Sequence, residues 1–285
     1  MQMLIDKENS SKDKIIKPDF STKTGREFLA FYLQTKFKQI LSYDRKKERP
    51  IFKEINPNFI SKFSRRLIEN PSKKILIGVT GESASGKTTI CKQIKKTSVE
   101  LDFPLEFLSI DNYFNDISAL IKKYGTFDAL RDNGYDVDSP ESFQLDLLKE
   151  DLTKLSMGED ILAPEYLING TGISVPKSIP IKSRKLILVE GMAAMYRDIK
   201  DLFDVKIYID IDRKTQKKWF LERAAKRNQT HENALKHWEY VDIAAGKYIR
   251  PSKADADIVI NGASSLDYFS QIIEFIHAAT NCFVS

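Results

Sequence analysis

Eight consecutive residues, Gly81-Glu82-Ser83-Ala84-Ser85-Gly86-Lys87-Thr88, fit the pattern G-x-x-x-x-G-K-[ST] at every position. That spacing suits a polyphosphate. The glycines let the backbone turn tightly and approach the ligand, and successive N–H groups form a nest for anionic oxygens. A helix starting at the end of the loop, through Lys87, Thr88 and Thr89, adds the positive end of its dipole. Lys87 then reaches the outer phosphates of a nucleotide, ATP by expectation, and the Thr88 hydroxyl is placed to ligate Mg²⁺.

Three further groups have the right chemistry downstream. Asp111 ends an apolar run, Leu105–Ile110, and Glu190 ends another, Lys185–Val189. In a parallel α/β sheet, ligands sit beyond the carboxyl ends of the strands, so both acids should stand beside the phosphates. Asp111 there can orient an acceptor hydroxyl and take its proton; a helix N-cap is the other common use of such a residue. Glu190 would support Mg²⁺. Arg223 and Arg227, at i and i+4, share one helix face. They can close over a migrating phosphoryl group, or they are two solvated arginines. No [NT]-K-x-D pattern follows a later strand, which speaks against a guanine-specific GTPase.

These side chains need a scaffold. Apolar runs at Lys74–Val79, Leu105–Ile110, Lys185–Val189, Val205–Ile209 and Ile258–Ile260 predict five buried strands, with helical patterns between most of them. The expected fold is α/β: a mainly parallel five-stranded sheet with helices on both faces. Between Tyr166 and Ser174, an Asn169-Gly170 pair separates two β-prone runs and predicts an inserted, tight β-hairpin. Ahead of this domain, over residues 71–285, residues 1–70 are expected to be a polar tail to about residue 24 and then a helical extension. Its helices run from Arg26 to Leu41 and from Asn58 to Glu69, joined by a solvated basic connection at 45–50. Arg65 and Arg66 are expected on a solvated face.

The bulk numbers exclude several classes. Hydrophobic residues make up 42% and charged residues 30%, as in ordinary globular proteins. The net charge of +5 is too mild to point to nucleic acid. Two cysteines, Cys91 and Cys282, stand far apart, so neither a disulfide framework nor a zinc spacing is present. Cys91 reads as a core residue. No signal peptide or apolar span is apparent, and a cytoplasmic location without membrane partners is expected. A homo-oligomer is left open.

Taken in order, the segments Gly-Glu-Ser-Ala-Ser-Gly-Lys-Thr-Thr, Ser-Ile-Asp-Asn-Tyr-Phe, Tyr-Asp-Val-Asp-Ser-Pro-Glu-Ser-Phe, Leu-Val-Glu-Gly-Met and Tyr-Ile-Arg-Pro-Ser-Lys-Ala-Asp-Ala-Asp resemble the uridine kinase and phosphoribulokinase family. The resemblance runs from about Lys73 to Asn261. It implies a P-loop kinase that moves the γ-phosphoryl of ATP to a small-molecule hydroxyl, in first place a nucleoside kinase of the uridine kinase type. A same-fold kinase for a sugar phosphate or other diol-bearing metabolite is the alternative, and a nucleotide-binding regulatory protein comes last. On it, Asp111 falls on the catalytic base, Thr88 and Glu190 on the Mg²⁺ site, and Arg223, with Arg227 near it, on the arginine-bearing lid. Asp138 falls on the carboxylate that holds ribose hydroxyls in uridine kinases. Tyr166 falls on an aromatic near the acceptor base, and Tyr113 is placed with the acceptor contacts. The acceptor half departs from the pattern: Ser139 and Thr171 stand at or near positions where uridine kinases carry histidine.

Overall fold

The computed structural model of the chain describes residues 19, 22–44, 51–100, 102–103, 105–264 and 269–281. Most of the expected polar tail, the basic connection at 45–50 and Cys282 lie outside the described residues. Among those described, the strands are β1 (Phe52–Ile55), β2 (Ile75–Gly81), β3 (Leu105–Ser109), β4 (Ile161–Tyr166), β5 (Ser174–Ile181), β6 (Leu186–Glu190), β7 (Val205–Asp210) and β8 (Ile258–Asn261). The α-helices are α1 (Lys23–Asp44), α2 (Phe59–Glu69), α3 (Lys87–Glu100), α4 (Ser118–Tyr124), α5 (Phe127–Asp132), α6 (Leu145–Met157), α7 (Arg213–Lys226), α8 (His231–Ala244) and α9 (Phe269–Asn281).

Six strands form the main sheet, in the order β1-β8-β7-β2-β6-β3. Five of them are mutually parallel, as their apolar runs predict. Every residue of β2 and of β6 is buried, because helices cover both faces. Along β2 the side chains alternate: Ile75, Ile77 and Val79 enter one core cluster, Leu76 the other. The first cluster lies under α1, α2, α3 and α9, and the second under α6 and the hairpin.

The sixth strand corrects the sequence expectation. β1 lies within the segment read as purely helical and pairs antiparallel with β8, Phe52 opposite Ile260 and Ile55 opposite Ile258. Four residues are too few to show a period, so the free edge of β8 decides the outcome. The extension also shares the main core: Leu29, Leu33 and Phe37 of α1, one turn apart, join Phe59, Phe63 and Leu67 of α2 against Ile77 and Ile260. Arg66 likewise departs from the solvated face expected of it. Its Nε donates to Asp204 at 2.5 Å and its Nη2 to the Lys74 carbonyl at 2.7 Å, tying α2 to the start of β2.

The hairpin of β4 and β5 is antiparallel, Tyr166 opposite Ser174, but its connection is not tight. Seven residues, 167–173, span it. Asn169 Oδ1 accepts from the Thr171 N–H and hydroxyl, and the Leu167 N–H donates to the Ile173 carbonyl. The Asx turn competes successfully with a two-residue reversal.

Candidate active site

β2 runs straight into the phosphate loop, and α3 begins at Lys87. Gly81 has φ +147°, and a Cβ there would lie 2.4 Å from the Ile209 carbonyl oxygen of the neighbouring strand. Only glycine fits that approach. Lys87 Nζ donates to the carbonyls of Gly81 at 2.6 Å and Glu82 at 2.9 Å, closing the loop over its own ammonium. Ser85 is buried, and its hydroxyl has no partner among the described residues. An orphan donor inside an anion nest suits a phosphate oxygen.

Both acids arrive where parallel-strand geometry puts them. Glu190 is the last residue of β6, paired with Val79 of β2, and is buried. The Thr88 hydroxyl donates to Glu190 Oε1 at 3.3 Å. Burial raises the Glu190 carboxyl above its usual range, against the pull of Lys87 and with a push from Asp111. Asp111 sits in the short 3₁₀ turn Ile110–Tyr113 just after β3, where Ser109 holds the cap position, so its carboxylate is free of that duty. Desolvation raises Asp111 as well, offset in part by Lys87 and then Arg223. Burial lowers Lys87, with Glu190 and Asp111 opposing part of that shift. Four groups from four segments thus share one electrostatic neighbourhood.

That donor set fits Mg²⁺. Two adjacent hard oxygens, from Thr88 and Glu190, face the loop, and among the described residues no group of three or more His, Cys, Asp or Glu side chains could hold a metal alone. Mg²⁺ prefers such sparse protein ligation, with phosphate oxygens and water filling the shell.

Arg223 reaches the loop from α7: its Nη2 donates to Ser83 Oγ at 2.7 Å. Arg227, at the C-cap of the same helix, is exposed and near enough to lower the Arg223 guanidinium, after desolvation. Thr89 lies exposed in the first turn of α3. Cys91, one turn on, is a fully buried thiol raised by desolvation, a core residue as expected.

The acceptor side is assembled differently. Asp138 shares a cleft of about 190 Å³ with Arg131, Tyr135, Asp136, Tyr240 and Lys247. Desolvation pushes its carboxyl up to about 6, with Arg131 opposing and Asp136 and Asp111 adding to the rise. The Tyr196 hydroxyl fixes the local backbone by donating to the Asp138 carbonyl at 2.5 Å. Tyr166 is half-buried and packs 5.2 Å from the Phe114 ring, which stacks on Phe143 at 4.2 Å. Tyr113 does not belong to this group. It is fully buried, and its hydroxyl donates to Asp151 on α6 at 2.7 Å. With three residues per turn, Asp111 and Tyr113 fall on different faces of the 3₁₀ turn, so Tyr113 enters the core while Asp111 lies within the field of Lys87 and Arg223. Ser139 is buried beside Ser142, and Thr171 is exposed on the hairpin loop, bonded to Asn169.

Several contributors were given no role by the sequence. Gln216 and Arg250 hold Glu82, Arg131 stands in the Asp138 cleft, and Gly262 packs on the Ser85 carbonyl. Arg250 lies in the Tyr-Ile-Arg-Pro segment, a signal that could have found it; the other three reach the site by chain crossing alone.

A phosphate loop after the first parallel strand, with Glu190 ending the adjacent strand β6 and Asp111 following β3 one strand further, defines a P-loop kinase architecture. A sequence profile of the Phosphoribulokinase / Uridine kinase family matches residues 76–268. The chain belongs to that family. It is 28% identical over 205 residues to uridine-cytidine kinase B of Dictyostelium discoideum, covering 70% of this chain and 80% of that one. It is 30% identical over 206 residues to a uridine kinase of Saccharomyces cerevisiae, covering 70% of this chain but only 39% of the yeast protein. A crystal structure described as a fructose transport system kinase from a Silicibacter species superposes with a TM-score of 0.55 at 17% identity, over 81% of this chain and 98% of its own; it shows the shared fold.

Proposed function

We propose that the chain is an ATP-dependent nucleoside kinase that transfers the γ-phosphoryl group to a hydroxyl of a ribose-type acceptor. The carrying observation is the convergence of Lys87, Asp111 and Glu190 in one electrostatic neighbourhood, with Asp138 within its field. Relatives named as uridine and uridine-cytidine kinases support the acceptor class.

In this mechanism Lys87 and the loop amides hold the β- and γ-phosphates, and Arg223 approaches from α7. Thr88 and Glu190 would hold Mg²⁺, which would supply positive charge against the transferred group. Asp111 accepts a hydrogen bond from the acceptor hydroxyl and takes its proton as the new O–P bond forms. The bond from the γ-phosphorus to the bridging oxygen breaks, and ADP leaves. A carboxylate raised by desolvation is a better base than one in water. Asp138 accepts two hydrogen bonds from a vicinal diol, and Tyr166, packed on Phe114, offers an aromatic face to the acceptor.

The acceptor's base is under weaker control. Neither Ser139 nor Thr171 presents an imidazole, and Thr171 is engaged with Asn169. The acceptor therefore carries a vicinal diol, and uridine is not strongly preferred over other diol-bearing compounds. We place the enzyme in the cytoplasm, acting on a small molecule rather than nucleic acid. Among the described residues no helix is long and apolar enough to cross a membrane. The test is kcat/KM for uridine, cytidine, their 2′-deoxy forms and free sugars. Equal use of uridine and 2′-deoxyuridine would remove the diol contact; strong preference for uridine would remove the relaxed base reading.

A further inference from the structure

One carboxylate in the phosphate loop is held from two directions. Glu82 accepts from Arg250 Nε at 3.1 Å and from the Gln216 amide at 3.4 Å, and an Arg213 nitrogen stands 3.9 Å away. Gln216 also donates to the Ser83 carbonyl at 2.9 Å, so side chain and backbone of the loop are gripped together. Arg213 and Arg250 converge in turn on a single acid, Asp242: both form ion pairs with its carboxylate, and Arg250 donates to its carbonyl at 3.2 Å. The Arg213 guanidinium lies 5.0 Å over the Trp238 ring, which fixes its direction.

Asp242 and Trp238 belong to α8. The same helix walls the acceptor cleft through Tyr240, Ile243 and Ala244, and the chain continues to Lys247 on that wall. One helix therefore borders the acceptor directly and grips the ATP loop through two arginines. Glu82 and Asp242 are partly buried while the two arginines stay open to solvent, so the acids fix the bridge more than the guanidinium groups do.

We propose that Glu82, Arg213, Asp242 and Arg250 are positioning residues that couple the two substrates. A ligand in the acceptor cleft biases α8, and the Asp242–arginine–Glu82 bridge passes that bias to the backbone at Glu82 and Ser83. None of the four touches the reacting atoms. The inference rests on the kinase reading of the site. By linkage, the factor by which the nucleotide changes acceptor affinity equals the factor by which the acceptor changes nucleotide affinity.

The test uses the full chain with a non-hydrolysable ATP analogue and Mg²⁺. Amide hydrogen exchange should slow both in the loop, 81–90, and across 231–249. In Glu82→Gln the loop should still be protected while protection across 231–249 falls severalfold; Asp242→Asn should do the same. Equal protection of 231–249 in Glu82→Gln and wild type, or none in wild type, overturns the proposal. Should Asp242→Asn fold poorly by its melting temperature, Glu82→Gln decides alone. Calorimetry with uridine, with and without the analogue, supplies the second readout. The expected coupling is about 5-fold or more, the usual lower range, falling towards one in Glu82→Gln. An unchanged factor in the variant also overturns the proposal. If uridine binds neither form, the nucleoside reading falls, and the exchange measurement still decides the coupling.

Discussion

The two halves of the site are built by different rules. On the nucleotide side, Gly81 to Thr88 is one uninterrupted stretch between a strand and its helix, and the acids at Asp111 and Glu190 sit at the ends of strands bonded into the same sheet. On the acceptor side, Asp138, Arg131, Tyr166, Phe114 and α8 come from separate segments, none of them a strand of the main sheet. Backbone geometry dictates the first half. Side-chain packing between distant segments dictates the second.

Variants can break that comparison, and the largest effect belongs to the nucleotide side. Lys87→Ala removes the ammonium that closes the loop; ATP binding by calorimetry and turnover should both be lost. Unchanged ATP affinity would contradict the assignment of the loop. Asp111→Asn should keep ATP binding and lower kcat by about 10²-fold or more, the scale of a missing general base. Near-native turnover would leave Asp111 without a role in the chemistry.

Acceptor-side changes should be smaller and fall on a different constant. Asp138→Asn should raise the acceptor KM by roughly 10- to 100-fold, the range for an unpaired buried polar group of about 1–3 kcal/mol, with the ATP KM unmoved. A parallel rise in both constants would merge the two halves. The same residue sets a pH signature. Its folded-state carboxyl lies at about 6, above the unfolded value near 3.8. The proposed diol contact requires the ionised form, and on that proposal acceptor KM should climb as pH falls through about 6. The folded state binds the extra proton, so this residue's contribution to stability is greatest below about 4 and is lost as pH rises through 6. An acceptor KM flat from pH 5 to 8 would exclude Asp138 from the diol contact.

The smallest expected change separates core from site. Tyr113→Phe leaves Asp151 without its donor and should lower stability by about 1–3 kcal/mol, read in a denaturant melt. Neither KM should move. A shifted acceptor KM would return Tyr113 to the site from which its burial removes it.

What the sequence by itself determined is whatever depends on short-range pattern. Five apolar runs bounded by turns specify the parallel strands within a residue or two. The loop motif names its own ligand chemistry, and parallel geometry then places Asp111 and Glu190 without further information. Tertiary structure alone decided the rest. β1 exists because β8 presents an open edge, not because Phe52–Ile55 is a strong strand. Tyr113 and Asp111 are two residues apart, yet one is bonded to Asp151 in the core and the other lies in the field of Lys87. Arg66 and Arg250 carry the same charge in sequence; one pins α2 to Asp204, and the other holds Glu82 in the loop. A side chain's partner is chosen by what crosses it in space, and charge and hydrogen-bonding capacity, unlike strand period or glycine geometry, leave no local trace of that choice.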